Sequence, residues 1–116
     1  MPIVRSDEVK FTPGLVENSR RRVLIDADRG SGAITLGEVI MNSGAELPMH
    51  THQVEEAMVI TRGTATLVLG DETYTLNPSD VILAPASVKH TLANHGKEPM
   101  GFLFFYPALE IRFDRV

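Results

Sequence analysis

The sequence predicts an all-β domain, a sandwich or barrel of antiparallel strands, and three observations predict it. Glycine and proline recur from Pro13-Gly14 to Pro107 and break the chain into short pieces. The pieces are rich in Val, Ile, Leu, Thr and Phe, side chains that suit a pleated, half-buried surface. No window sustains a 3.6-residue apolar stripe long enough for a helix.

Taken in order, residues 1–14 read as an N-terminal arm or edge segment, and 15–116 as a single barrel. RRVLIDA (21–27) opens the barrel and begins within the basic triplet Arg20-Arg21-Arg22. AITLGEVIM (33–41) follows the Gly30 to Gly32 turn. EEAMVIT (55–61) stops at Gly63. ATLVLG (65–70) and TYTL (73–76) flank Leu69-Gly70-Asp71-Glu72, the place for a tight hairpin turn. Asn77-Pro78-Ser79-Asp80 is dense in turn residues and ends that hairpin. DVILA (80–84), HTLAN (90–94) and GFLFFYP (101–107) complete the strands. VILAP and FLFFY are apolar on both alternations, so both faces of these strands need cover. A second copy of the chain is the expected cover, which predicts a homodimer.

With 116 residues, 43% of them hydrophobic, the chain is long enough to bury one core. A net charge of −4 excludes a broad basic surface for nucleic acid, and Arg20-Arg21-Arg22 reads as a solvated strand start or salt-bridge partner. Cysteine is absent, which excludes disulfides and thiolate chemistry. The N-terminus lacks a signal-peptide pattern, and MGFLFFYPAL is about half a transmembrane span, so a cytoplasmic protein with no membrane partner is expected.

Two of the four histidines, His50 and His52, stand on alternate positions of one segment. On extended backbone such side chains project from one face. Glu56 follows four residues later and His90 comes 34 residues beyond it. In EAMVIT, Glu56 shares a face with Met58 and Ile60, whereas Glu55 falls on the other. By the same alternation His90 shares a face with Leu92 and Asn94, and His95 does not. Three imidazoles with one carboxylate form a donor set of intermediate hardness, suited to one divalent transition metal per chain: Fe, Mn, Ni, Cu, Co or Zn.

The frame around these residues is Gly44-x5-His50-x-His52-x3-Glu56-x6-Gly63. It resembles the first motif of the cupin superfamily at every position. The second motif of that family aligns with Ser79, Pro85, Ser87, His90 and Asn94; two of its glycines are replaced by Ser79 and Ser87, positions that bear on turns and not on ligation. The resemblance implies a double-stranded β-helix, a jelly-roll-like antiparallel barrel, with His50, His52, Glu56 and His90 as metal ligands inside it. It also implies a metal-dependent enzyme on a small oxygen-chelating molecule, dioxygenase-like in the commonest case. Isomerases, lyases and decarboxylases, or a non-catalytic binding module, are the alternatives.

Alternation along the strands assigns Met58, Ile60, Leu67, Leu69, Leu92, Phe102, Phe104 and Tyr106 to an apolar interior, with Met41, Met49 and Met100 nearby. Glu38, Arg62 and Tyr106 are the polar groups expected at a bound substrate, Tyr106 as proton donor or hydrogen-bond partner.

Overall fold

The computed structural model describes residues 3–116. Eleven strands and two short 3-10 turns, Ser6–Glu8 and Ala27–Arg29, follow one another along the chain. The strands are β1 (Thr12–Pro13), β2 (Ser19–Ile25), β3 (Thr35–Met41), β4 (His50–Thr51), β5 (Glu56–Arg62), β6 (Ala65–Leu69), β7 (Glu72–Leu76), β8 (Val81–Ala84), β9 (His90–Ala93), β10 (Met100–Tyr106) and β11 (Asp114–Arg115). Each of the eight segments that read as strands is one. The sequence does not announce β1, β4 and β11, each two residues long.

Two antiparallel sheets result. One has six strands in the order β1-β2-β3-β10-β5-β8, and the other five in the order β11-β4-β9-β6-β7. Neighbours such as β3 and β10 are distant in sequence, so the sheets interleave as a double-stranded, jelly-roll-like barrel. The arm does supply an edge: Thr12 and Pro13 pair with Arg21 and Arg20 of β2.

The core lies between the sheets. Met41, Met58, Ile60, Leu67, Leu92, Met100, Phe102 and Phe104 are all buried in it. Each comes from the inward alternation of its strand, so burial at about 25 cal/mol per Å2 of apolar surface accounts for the register. Asn94 is fully buried and ties the loop after β9 to β3, donating from Nδ2 to the carbonyls of Met41 and Glu98. Gly63 turns β5 into β6 at φ +72°, and a Cβ there would lie 2.4 Å from the Pro99 carbonyl oxygen. Only glycine meets both demands.

The outer face of the six-stranded sheet differs from a covered one. Strand β8 is its edge, and Val81 and Leu83 are 69% and 56% exposed, with Phe105 of β10 exposed beside them. Nothing among the described residues covers the outward alternation of β8. Among the described residues, no helix is long and apolar enough to cross a membrane.

Candidate metal centre

The two sheets bring four donors together. His50 on β4 lies directly opposite His90 on β9 in the ladder, and His52 follows two residues after His50. Their imidazoles are neighbours, with the His50 centroid 4.7 Å from that of His52 and 4.3 Å from that of His90. Glu56, the first residue of β5, enters from the facing sheet. All four side chains are buried; Glu55 and His95 are exposed.

Each imidazole is held by a backbone carbonyl. His50 Nδ1 lies 2.8 Å from the Pro48 oxygen, His52 Nδ1 2.7 Å from that of Arg112, and His90 Nδ1 3.0 Å from that of Val88. A carbonyl only accepts, so each Nδ1 carries the proton and donates it. In its neutral form each ring is thereby fixed in the tautomer that leaves an Nε2 lone pair free, the arrangement typical of metal-bound histidine.

Ligand atoms from His50, His52 and His90 lie within 4.8 Å of one another. Glu56 Oε1 sits 3.4 Å from His52 Nε2 and 3.5 Å from His90 Nε2. These gaps exceed a hydrogen bond but match donors sharing one cation, since metal bonds of about 2.1 Å put neighbouring donors roughly 3.0–3.5 Å apart. His90 Nε2 is fully buried with no hydrogen-bond partner. A buried nitrogen without a partner costs roughly 1–3 kcal/mol. A divalent cation would satisfy that lone pair, so the residues present fit a metal.

The electrostatics agree. Burial presses the His50 pKa down to about 4, so this imidazole is neutral at physiological pH. Burial also opposes charge on His52, but the Glu56 carboxylate and the Arg112 carbonyl outweigh it and raise its pKa. Burial likewise opposes ionisation of Glu56. The flanking His52 and His90 overcome that and hold the carboxyl at about 2. The site therefore presents an ionised carboxylate between imidazoles.

These groups open onto a cavity of about 180 Å3 lined by residues of both sheets. A cavity of about 150 Å3 holds benzene, so there is room for one substituted ring. Met58, Leu92, Phe102, Phe104 and Tyr106 line it as the alternation predicts, whereas Ile60, Leu67, Met41 and Met100 pack behind the walls. Tyr106 is buried, stacks on Phe104 at 5.9 Å, and has its pKa raised by that burial, so its hydroxyl keeps its proton.

Glu38 and Arg62 are placed elsewhere. Glu38 lies on the outward alternation of β3, where Arg22 Nη2 pairs with it at 2.6 Å. Arg62 is exposed at the end of β5. Neither lines the cavity. For Glu38 the cause is strand parity: Thr35, Gly37 and Val39 face inward on β3, and Glu38 alternates with them. Arg62 keeps the parity of Glu56, Met58 and Ile60 but lies at the exposed end of β5, beyond the register shift between Gly101 and Phe102.

Most of the other cavity residues lie outside the segments that read as strands. Gly14 is the last residue of the arm, Leu15 follows it, and Arg21 comes from β2. The C-terminal tail closes the other side: Ile111 and Phe113 line the cavity, and the Phe113 ring stacks on His50 at 3.9 Å. Strand β11 pairs with β4 and brings the Arg112 carbonyl to His52.

Comparison with known proteins agrees with this architecture. A family model described as the cupin domain matches residues 37–106. No curated protein matches the chain. Among solved structures, the polyketide cyclase RemF from Streptomyces resistomycificus superposes with a TM-score of 0.91 at 24% identity, over 100% of this chain and 85% of that one. The cupin-2 domain Rru_A2000 from Rhodospirillum rubrum gives 0.85 at 18% identity, over 99% and 80%. KdgF from Halomonas sp. gives 0.78 at 17% identity, over 92% and 94%. At these identities the likeness is one of fold.

Proposed function

Since the chain belongs to the cupin-domain family, we propose that it is a metal-dependent enzyme acting on a small, flat molecule that presents oxygen donors. His50, His52 and His90 hold one divalent transition metal and Glu56 is the fourth donor. One observation carries this reading: three buried imidazoles, each held by a carbonyl on Nδ1, bring ligand nitrogens within 4.8 Å of one another beside an ionised carboxylate. Bound there, the cation supplies Lewis acidity towards a substrate oxygen and, for Fe, Mn, Ni, Cu or Co, a redox centre.

The chain's own residues do the rest. Phe102, Phe104, Leu92 and Met58 exclude water and press on a ring from its faces. Tyr106 keeps its proton and donates to a substrate oxygen as negative charge develops on it. Phe113 covers His50 from the tail side.

For the reaction we favour non-redox chemistry on an enolisable carbonyl compound, in which polarisation of a carbonyl lets a carbon–carbon bond form or break. The apolar, ring-sized cavity supports it, as does the end-to-end likeness to a protein described as a polyketide cyclase. Dioxygenase-like oxidation of the same class of molecule is the second reading. It is favoured by the three-imidazole, one-carboxylate donor set, which suits Fe, Ni, Cu and Mn as well as Zn.

Apo-protein loaded in turn with Fe(II), Mn(II), Ni(II), Co(II), Cu(II) and Zn(II) tests both against panels of diketones, enols and catechols. Product formed without oxygen, with zinc among the active metals, supports the first reading. Oxygen uptake with redox metals alone supports the second. Tight ligand binding with no product from any metal would identify a binding module and defeat the enzyme reading.

A further inference from the structure

Strand alternation splits the basic triplet at the start of β2. Arg20 and Arg22 face outward and flank the Phe11 ring, at 4.9 and 4.2 Å from its centroid. Arg22 is fully engaged besides, with Glu38 and with the carbonyls of Ser6 and Val9. Arg21 faces the opposite way, into the cavity, where its guanidinium lies 5.3 Å from the centroid of Phe104.

Among the described residues, Arg21 makes no ion pair and its side chain donates no hydrogen bond. The one carboxylate lining the cavity, Glu56, is taken up between His52 and His90. Strand β2 is three strands from β5 in the sheet order, roughly 14 Å across the sheet, so Arg21 and the donor Glu56 enter the cavity from well-separated strands and can serve different ends of a bound molecule. A half-buried guanidinium has five donors fixed in a planar fork and weak hydration, and it pairs best with an oxyanion. The face of Phe104 holds it in place.

We propose that Arg21 is the anion-recognising residue of this cavity, so that the substrate carries an anionic oxygen group, a carboxylate or an enolate, in addition to the oxygens presented to the histidines. The inference rests on the metal-enzyme reading above and narrows its substrate to acidic molecules.

The test uses cobalt-loaded protein and two probes of equal shape, 3,4-dihydroxybenzoate and its neutral amide, 3,4-dihydroxybenzamide, titrated by calorimetry at pH 7.5. Wild type should bind the acid about tenfold more tightly than the amide. Arg21→Gln should bring the two within about twofold while leaving amide affinity and bound cobalt unchanged, and Arg21→Lys should restore part of the preference. A preference that survives in Arg21→Gln, or its absence from wild type, overturns the assignment while the metal reading stands. Wild type that takes up no cobalt overturns both.

Discussion

The Nε2 of His90, buried without a partner, is the atom that most needs a metal, and it shows how much a residue's neighbours decide. Replacing His50 or His90 by Ala should lower bound metal to well under half the wild-type content by elemental analysis, because each supplies a donor that nothing nearby replaces. Unchanged stoichiometry would contradict the ligand set. The convergence of these side chains was legible in the sequence through spacing: i and i+2 on extended backbone for His50 and His52, and inward parity for Glu56 and His90. Their carbonyl partners were not, because the Arg112 oxygen arrives from 60 residues away. Glu38 was misread because both alternations of β3 contain apolar side chains, so the sequence does not mark which face is inward. Arg21 hid in a cluster whose members serve opposite faces. Ser79 and Ser87 make a different point. They stand where the family motif has glycine, and both hold positive φ, 78° and 66°. A left-handed residue other than glycine costs about 1–2 kcal/mol, partly offset by the greater unfolded-state freedom of glycine. Ser87→Gly should therefore raise stability by about 0.5–1 kcal/mol in urea unfolding, and a loss of that size would count against the strain.

At the scale of elements, the hairpins and long strands were readable because turn residues bracket alternating apolar runs, as at Gly70-Asp71 between β6 and β7. The C-terminal tail was not. Leu109, Ile111 and Phe113 do alternate with Glu110, Arg112 and Asp114, but only the two residues of β11 pair, and the place of the tail is set by docking: β11 on β4, Gln53 against Arg112 and Glu110, and Phe113 on His50. The tail thus acts as a strap that orients His52 and shields His50. Groups that orient metal ligands typically contribute 10–100-fold to affinity. Deleting residues 110–116 should weaken zinc binding by about that factor in competition with a chromophoric chelator, with the far-ultraviolet β signal retained. Phe113→Ala should show a smaller loss in the same direction. Affinity equal to wild type in the deletion would show that the strap does not support the site.

The whole molecule is two sheets closed around a cavity that opens onto the histidine cluster, with one sheet left uncovered outside. Val81, Leu83 and Phe105 form an apolar outer surface beside an edge strand, a combination that invites association. A second copy across this face would explain why VILAP reads apolar on both alternations, and light scattering at micromolar concentration should then give twice the 12.7 kDa chain mass. Leu83→Lys should return the monomer. A monomeric wild type would leave the exposed face to another purpose. The central claim, however, is the convergence of donors from two sheets on one ion, and X-ray absorption of the zinc-loaded protein tests it most directly. The account predicts one zinc per chain with three imidazole nitrogens and oxygen donors at about 2.0–2.2 Å. Zinc bound by fewer than three imidazoles, or held far below one per chain, would contradict it.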